Sequence, residues 1–216
     1  MKYSQYFDRR SSTFLKSYEM IKENMGKNGN GNENKMYNIV ELGTSRSFVT
    51  GGVDGCMNTD KKYWRPFKPD IWDWGAGIFT KVFAENLKDE KCNIYTIDPD
   101  DNAIAIVTTM CKEYKKVKIC KTHSTNFLSD FNEKIDFLYM DHMETSEEAA
   151  IQHLNDIKLI FERNLMSENG IILVDDVGQS IIDGKGKYSI PFLQNNNYNI
   201  VIHDYQVLME KNNVLV

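Results

Sequence analysis

The residues best placed to do chemistry are acids that recur at the ends of apolar runs. Glu41-Leu42-Gly43-Thr44-Ser45 closes the run from Tyr37, Asp98-Pro99-Asp100 closes CNIYTID, Asp141-His142 closes IDFLYMD, and Asp175-Asp176 closes GIILVDD. In open α/β sheets ligands bind beyond the carboxyl ends of the strands, so these acids are expected to face one region. A carboxylate at the end of a second strand suits a ribose diol, because it accepts from both hydroxyls at once. The competing reading of Asp98, which precedes a proline, is a turn former or helix cap. Asp141, Asp175 and Asp176 stand at matching ends of strands expected about 4.8 Å apart, and three carboxylates converging there repel unless neutralised. A hard divalent cation, Mg²⁺ before Mn²⁺ or Ca²⁺, is the expected remedy, since no thiolate or histidine set competes for a softer metal. The competing reading makes Asp175 a cap and leaves Asp176 facing water. Neither GxxxxGK[ST] nor GxGxxG follows the first run, which argues against phosphate-loop chemistry.

The elements that must carry these acids follow from periodicity. Nearly wholly apolar short runs, YNIVEL, CNIYTID, VKICK, IDFLYMD and GIILVDD, alternate with amphipathic stretches at Phe79 to Leu87, Asn102 to Tyr114, near Phe127, and Ser146 to Asn164. That alternation predicts a doubly wound α/β domain with a parallel sheet covered on both faces. A T-x-x-E capping box at Thr145 and Glu148 is expected to start the last of these helices, with Ala150, Leu154, Ile157 and Phe161 on its inner face and His153 on its surface. YNIVIHDY and QVLMEK are joined too closely for a parallel crossover, so they are expected to pair antiparallel. Ahead of this domain, Ser12 to Met25 reads as an amphipathic helix ending at Gly26, followed by the polar connection GKNGNGNENK. Residues 1–35 therefore form a helix and flexible connection, and 36–216 the main domain, with an insertion at about 45–74 rich in aromatics (Tyr63, Trp64, Phe67, Trp72, Trp74).

Composition narrows the function. The 216 residues, 41% hydrophobic, suit one domain with its own core. With 26 basic against 31 acidic residues the net charge is -5, which argues against nucleic acid as a partner. No long apolar run or polar-apolar leader pattern is present, so a cytoplasmic protein without a membrane partner is expected. Cys56, Cys92, Cys111 and Cys120 lack CxxC or Cys/His spacing and read as reduced thiols.

Taken together, strand-ELG, strand-IDPD, strand-IDFLYMDH and strand-GIILVDDV resemble the class I S-adenosylmethionine-dependent methyltransferases, from about Tyr37 to the C-terminus. The fourth- and fifth-strand motifs are similar to small-molecule O-methyltransferases of the catechol and macrocin types. The resemblance implies a Rossmann-like seven-stranded sheet of order 3-2-1-4-5-7-6 with the last strand antiparallel. It implies cofactor contacts from Glu41, Gly43, Thr44, Ser45, Gly75, Gly77, Asp98, His123, Ser124 and Asp141, with Asp98 on the ribose hydroxyls and His123 where the family often has an acid. GAGIFT, Gly75 to Thr80, looks like the displaced second half of the first-strand turn. A divalent cation on Asp141, Asp175 and Asp176 would bind the acceptor oxygen of a small molecule or sugar, and His142 or Glu144 would take its proton. Two alternatives remain open. One is an RNA ribose methyltransferase with a Lys-Asp-Lys-Glu tetrad, whose second lysine position here holds Asp175-Asp176, although Lys185 and Lys187 form a local basic pair. The other is a scaffold that keeps the fold without activity, favoured by the interrupted first motif. A homodimer is compatible with either.

Overall fold

The computed structural model describes residues 1–29, 35–45, 66–76, 78–181 and 183–212. The strands are β1 (Tyr37–Leu42), β2 (Cys92–Asp98), β3 (Val117–Lys121), β4 (Ile135–Met140), β5 (Met166–Val174), β6 (Tyr198–His203) and β7 (Val207–Lys211). They form one sheet of order β3-β2-β1-β4-β5-β7-β6. All pairings are parallel except those of β7, which runs antiparallel to β5 and to β6. The short link between β6 and β7 allows no other arrangement.

The sheet is buried on both sides because successive side chains alternate faces. Ile39, Phe137, Tyr139, Ile171 and Leu173 meet α1 (Ser11–Gly29), α2 (Phe79–Asn86) and α3 (Asp101–Cys111) on one side. Val40, Leu42, Leu138, Met140, Ile172 and Val174 meet α4 (Ser124–Asp130), α5 (Glu147–Glu162) and α6 (Ser189–Asn195) on the other. Each layer is therefore fixed by one residue in two, and the strand ends leave the sheet in register.

Three expectations are corrected. Helix α1 does not stop at Gly26 but runs to Gly29. Ser146, not Thr145, caps α5, its Oγ accepting from Ala149 N at 3.1 Å. The buried stripe of α5 is Ala149, Ala150, His153, Asp156, Ile157 and Ile160, so the helix is turned by about one residue and His153 is wholly buried instead of facing solvent.

The first ten residues are part of the domain. Two 3₁₀ turns, Ser4–Tyr6 and Asp8–Arg10, lead into α1, and Tyr3, Tyr6 and Phe7 pack around Trp74, with Trp72 completely buried beneath. Of the expected insertion, Tyr63 and Trp64 lie outside the described residues, as does Gly77 of the GAGIFT stretch. Among the described residues no helix is long and apolar enough to cross a membrane.

Candidate active site

Beyond the carboxyl ends of β1, β2 and β4 lies a cavity of about 660 Å³, lined by Gly43, Thr44, Asp98, His123, Ser124 and His142 among others. A second cavity of about 260 Å³ is lined by Arg9, Arg10, Ser45, Gly75, Glu144, Asp176, Lys185 and Tyr205. Thr44 and Asp141 line both.

Gly43 makes the junction possible. Its φ is +88°, and a Cβ there would lie 2.6 Å from the backbone of His142, so only glycine lets the end of β1 press against the end of β4. Asp98 Oδ2 accepts from Thr44 N at 3.2 Å and Oδ1 from Asp100 N at 2.9 Å. Asp98 lines the larger cavity, where a carboxylate suits a ribose diol because it can accept from both hydroxyls. Asp98 is not the cap of α3; Asp100 is, accepting from Ala103 N at 2.8 Å. Among the described residues, Thr44 Oγ1 and His142 Nδ1 are buried with no hydrogen-bond partner, and both residues line the larger cavity.

Glu41 lines neither cavity. It is 1% exposed and takes hydrogen bonds from Thr80 Oγ1 on α2 and from Thr96 Oγ1 on β2, the latter at 2.5 Å. Burial pushes its carboxyl up to about 7 against those two hydrogen bonds, with Asp98 adding to the rise. Ser45 and Gly75 line the smaller cavity, and Ser45 Oγ donates to Ala76 O at 3.3 Å.

The three aspartates expected to share a cation do not converge on one point. Asp175 is completely buried and turned toward Arg10, whose Nη2 and Nε lie 2.9 and 3.3 Å from Oδ2, while Tyr139 Oη donates to the same oxygen at 2.7 Å. Burial works against its charge, yet Arg10 and Tyr139 hold its carboxyl below the ordinary range. Lys185 Nζ stands between the other two, 3.1 Å from Asp141 Oδ1 and 2.9 Å from Asp176 Oδ2. Among the described residues no group of three or more His, Cys, Asp or Glu could hold a metal ion. The negative charge that called for a divalent cation is already met by a guanidinium and an ammonium, so the residues do not fit one.

The two candidate bases separate. His142 Nε2 lies 2.9 Å from Asp156 Oδ2, its ring stacks on His153 at 4.3 Å, and it lines only the larger cavity. Glu144 lines only the smaller. Asp141 lies between, and burial, then the charge of Asp175, push its carboxyl well above the usual range. His153, neutral because burial holds its pKa well below 6.5, meets the His142 carbonyl at 3.1 Å and backs this wall from α5. The sequence reading missed Arg9, Arg10, Asp156 and Tyr205, and offered Lys185 only as half of a basic pair with Lys187.

Residues 74–177 match a family model described as a methyltransferase domain. That match spans a little under half of the chain. Its fold is shared with SMU.1697c of Streptococcus mutans, solved in complex with SAH, at a TM-score of 0.52, 11% identity, 82% coverage of this chain and 90% of that one. It is shared as well with an rRNA methylase of Streptococcus thermophilus, at a TM-score of 0.50, 9% identity, 82% coverage of this chain and 88% of the other. No curated protein sequence matches the chain. These likenesses are likenesses of fold, and they do not single out the catechol or macrocin types.

Proposed function

We propose that this chain is a methyltransferase that moves a methyl group from S-adenosylmethionine, held in the larger cavity, to a hydroxyl of a small polar acceptor, such as a sugar, held in the smaller one. The observation that carries this reading is that two cavities of unlike size and lining meet at Thr44 and Asp141. Asp98 would hold the ribose hydroxyls, and Gly43 and the unpartnered Thr44 hydroxyl would receive the methionine end. His123 and Ser124 would border the adenine end, and His142 lines the same space. When bound, S-adenosylmethionine supplies a methyl group on a sulfonium: the acceptor oxygen bonds to that carbon, the sulfur–carbon bond breaks, and its electron pair stays on sulfur.

Asp141 takes the proton the acceptor loses. It borders both cavities, and a carboxylate lifted toward neutrality by burial is a stronger base than an exposed one. Glu144, on the smaller cavity's rim, would pass that proton to solvent. Holding acceptor and methyl donor in adjoining cavities contributes up to roughly 7–11 kcal/mol by removing the cost of their encounter. Lys185 and Arg10 supply the positive charge, so turnover is expected to persist in excess chelator.

A second reading, methylation of an RNA ribose, draws on the contact between Lys185 and Asp141, which puts a lysine beside that acid from a loop. The small cavity and the net charge of -5 favour the small acceptor. Calorimetry with S-adenosylhomocysteine tests the cofactor half, and transfer of labelled methyl to a panel of sugars and small hydroxyl compounds, with RNA as the contrast, tests the acceptor half. No heat with S-adenosylhomocysteine sinks the reading; label on RNA alone replaces the acceptor.

A further inference from the structure

We infer that the Lys185 ammonium is the resident cation of the acceptor cavity: it holds the acceptor oxygen and keeps closed a divalent-cation site that Asp141 and Asp176 would otherwise form. The acceptor role rests on the proposed function; the closed metal site does not.

Lysine is rarely wholly buried, yet Lys185 is 2% exposed. Burial opposes its charge, but Asp141 and Asp176 hold its pKa above the ordinary lysine value, so it stays an ammonium. Two of its N–H groups are taken by Asp141 Oδ1 at 3.1 Å and Asp176 Oδ2 at 2.9 Å. The third has only a long contact, 3.4 Å, to the Asp141 carbonyl. That donor is available to an oxygen entering the cavity Lys185 lines.

The backbone is shaped to deliver this one side chain. Lys185 sits in the 3₁₀ turn Gly184–Gly186, and its N–H donates to Asp176 O at 3.1 Å. Gly184 has a φ of +62°, and a Cβ there would fall 2.0 Å from that same carbonyl. Gly186 is closed in by Ile190 and Val177, where a Cβ would come within 2.4 Å of Ile190 Cδ1. Asp176 itself adopts a φ of +52°, a strained conformation for a residue with a Cβ. Strain at Asp176 and two crowded glycines thus fix a lysine against the two carboxylates that border the cavity. A point charge on a stem replaces a metal ion: it can orient an acceptor hydroxyl and favour its deprotonation by Asp141, but it cannot be chelated away.

The test titrates Mn²⁺ alone, by calorimetry, into the wild-type protein, Lys185→Ala, Lys185→Ser and the double variant Lys185→Ala/Asp176→Asn, with S-adenosylhomocysteine affinity as the control for fold. Wild type should give no Mn²⁺ heat, both single variants should take up one ion per chain, and the double variant none. Transfer to the acceptor should fall roughly 100-fold in both single variants, the scale of losing one electrostatic donor, and Mn²⁺ should restore part of it. Wild type binding Mn²⁺ as tightly as Lys185→Ala, or single variants that keep S-adenosylhomocysteine affinity yet bind no ion, overturns the closed metal site. Undiminished transfer in the single variants overturns the acceptor role. If S-adenosylhomocysteine binds none of the four proteins, the methyltransferase reading fails while the Mn²⁺ comparison still decides the metal claim.

Discussion

The larger cavity is shaped by backbone and the smaller one by charge. Around the larger, a glycine at φ +88°, strand ends in register and one carboxylate bonded to two backbone N–H groups set the walls. Around the smaller, Arg9 and Arg10 come from the turn before α1, Lys185 from the loop after β5, and Tyr205 from the β6–β7 link, whose ring lies 3.7 Å from the Arg9 guanidinium. The cofactor end of such a site is as rigid as the sheet itself, whereas the acceptor end depends on ion pairs between distant segments, where one substitution leaves a charge stranded.

Breaking that pairing should have the largest effect. Replacing Arg10 by Ala leaves Asp175 buried with no countercharge, at a cost of about 3–5 kcal/mol in chemical denaturation. The double variant Arg10→Met/Asp175→Leu should recover most of it, and a single variant as stable as wild type would remove charge as the organising principle of the smaller cavity. Next is Glu41, whose carboxyl titrates at about 7 in the fold against 4.5 ordinarily. Because the fold favours its neutral form, stability is fully present below pH 4.5 and declines as pH rises through 7, by on the order of 3 kcal/mol. Glu41→Gln should flatten that decline while leaving stability at pH 4.5 unchanged; a slope identical to wild type would show that Glu41 stays ionised. Asp98→Ala should weaken S-adenosylhomocysteine binding by about 1.5–3 kcal/mol and, because the carboxylate also accepts from the N–H groups of Thr44 and Asp100, should lower stability by a smaller amount, about 1 kcal/mol. A loss of stability matching the loss of affinity would mean that Asp98 holds the fold and not the ligand. The smallest effect is at α5: Ser146→Ala should cost about 1 kcal/mol and Thr145→Ala a few tenths, and the reverse order would restore the Thr145 cap.

The same division decides what could be read from the sequence. Strands buried on both faces are short apolar runs, and their ends are marked by the first acid, which is why Asp98 and Asp141 were legible; the sheet order followed only from the family resemblance of those motifs. Lys185 and Arg10 lie in turns with no period, and Arg10 meets its partner 165 residues later, so nothing local indicates the pairing. Without those cations, three strand-end aspartates read as a metal site. The glycines around Lys185 in DGKGK were a visible signal of a constrained turn, but not of where its lysine points. His153 shares the spacing of Ala149, Asp156 and Ile160 and was placed outside because of its residue type; its buried place follows from stacking on His142.

The contact between Arg10 and Asp175 also bears on how the chain acquires its site. Thr13 is bonded to Gln206 across 193 residues, and Gln206 Nε2 donates in turn to Tyr139 Oη at 3.2 Å, extending the network that holds Asp175. On the ribosome the turn before α1 is made well before its partners, which lie just after β5 and just before β7. Contacts of such high sequence separation form late and slowly. Refolding should therefore recover cofactor binding before transfer activity, and a nascent chain paused before β5 would carry an unpaired Arg10 and no acceptor cavity.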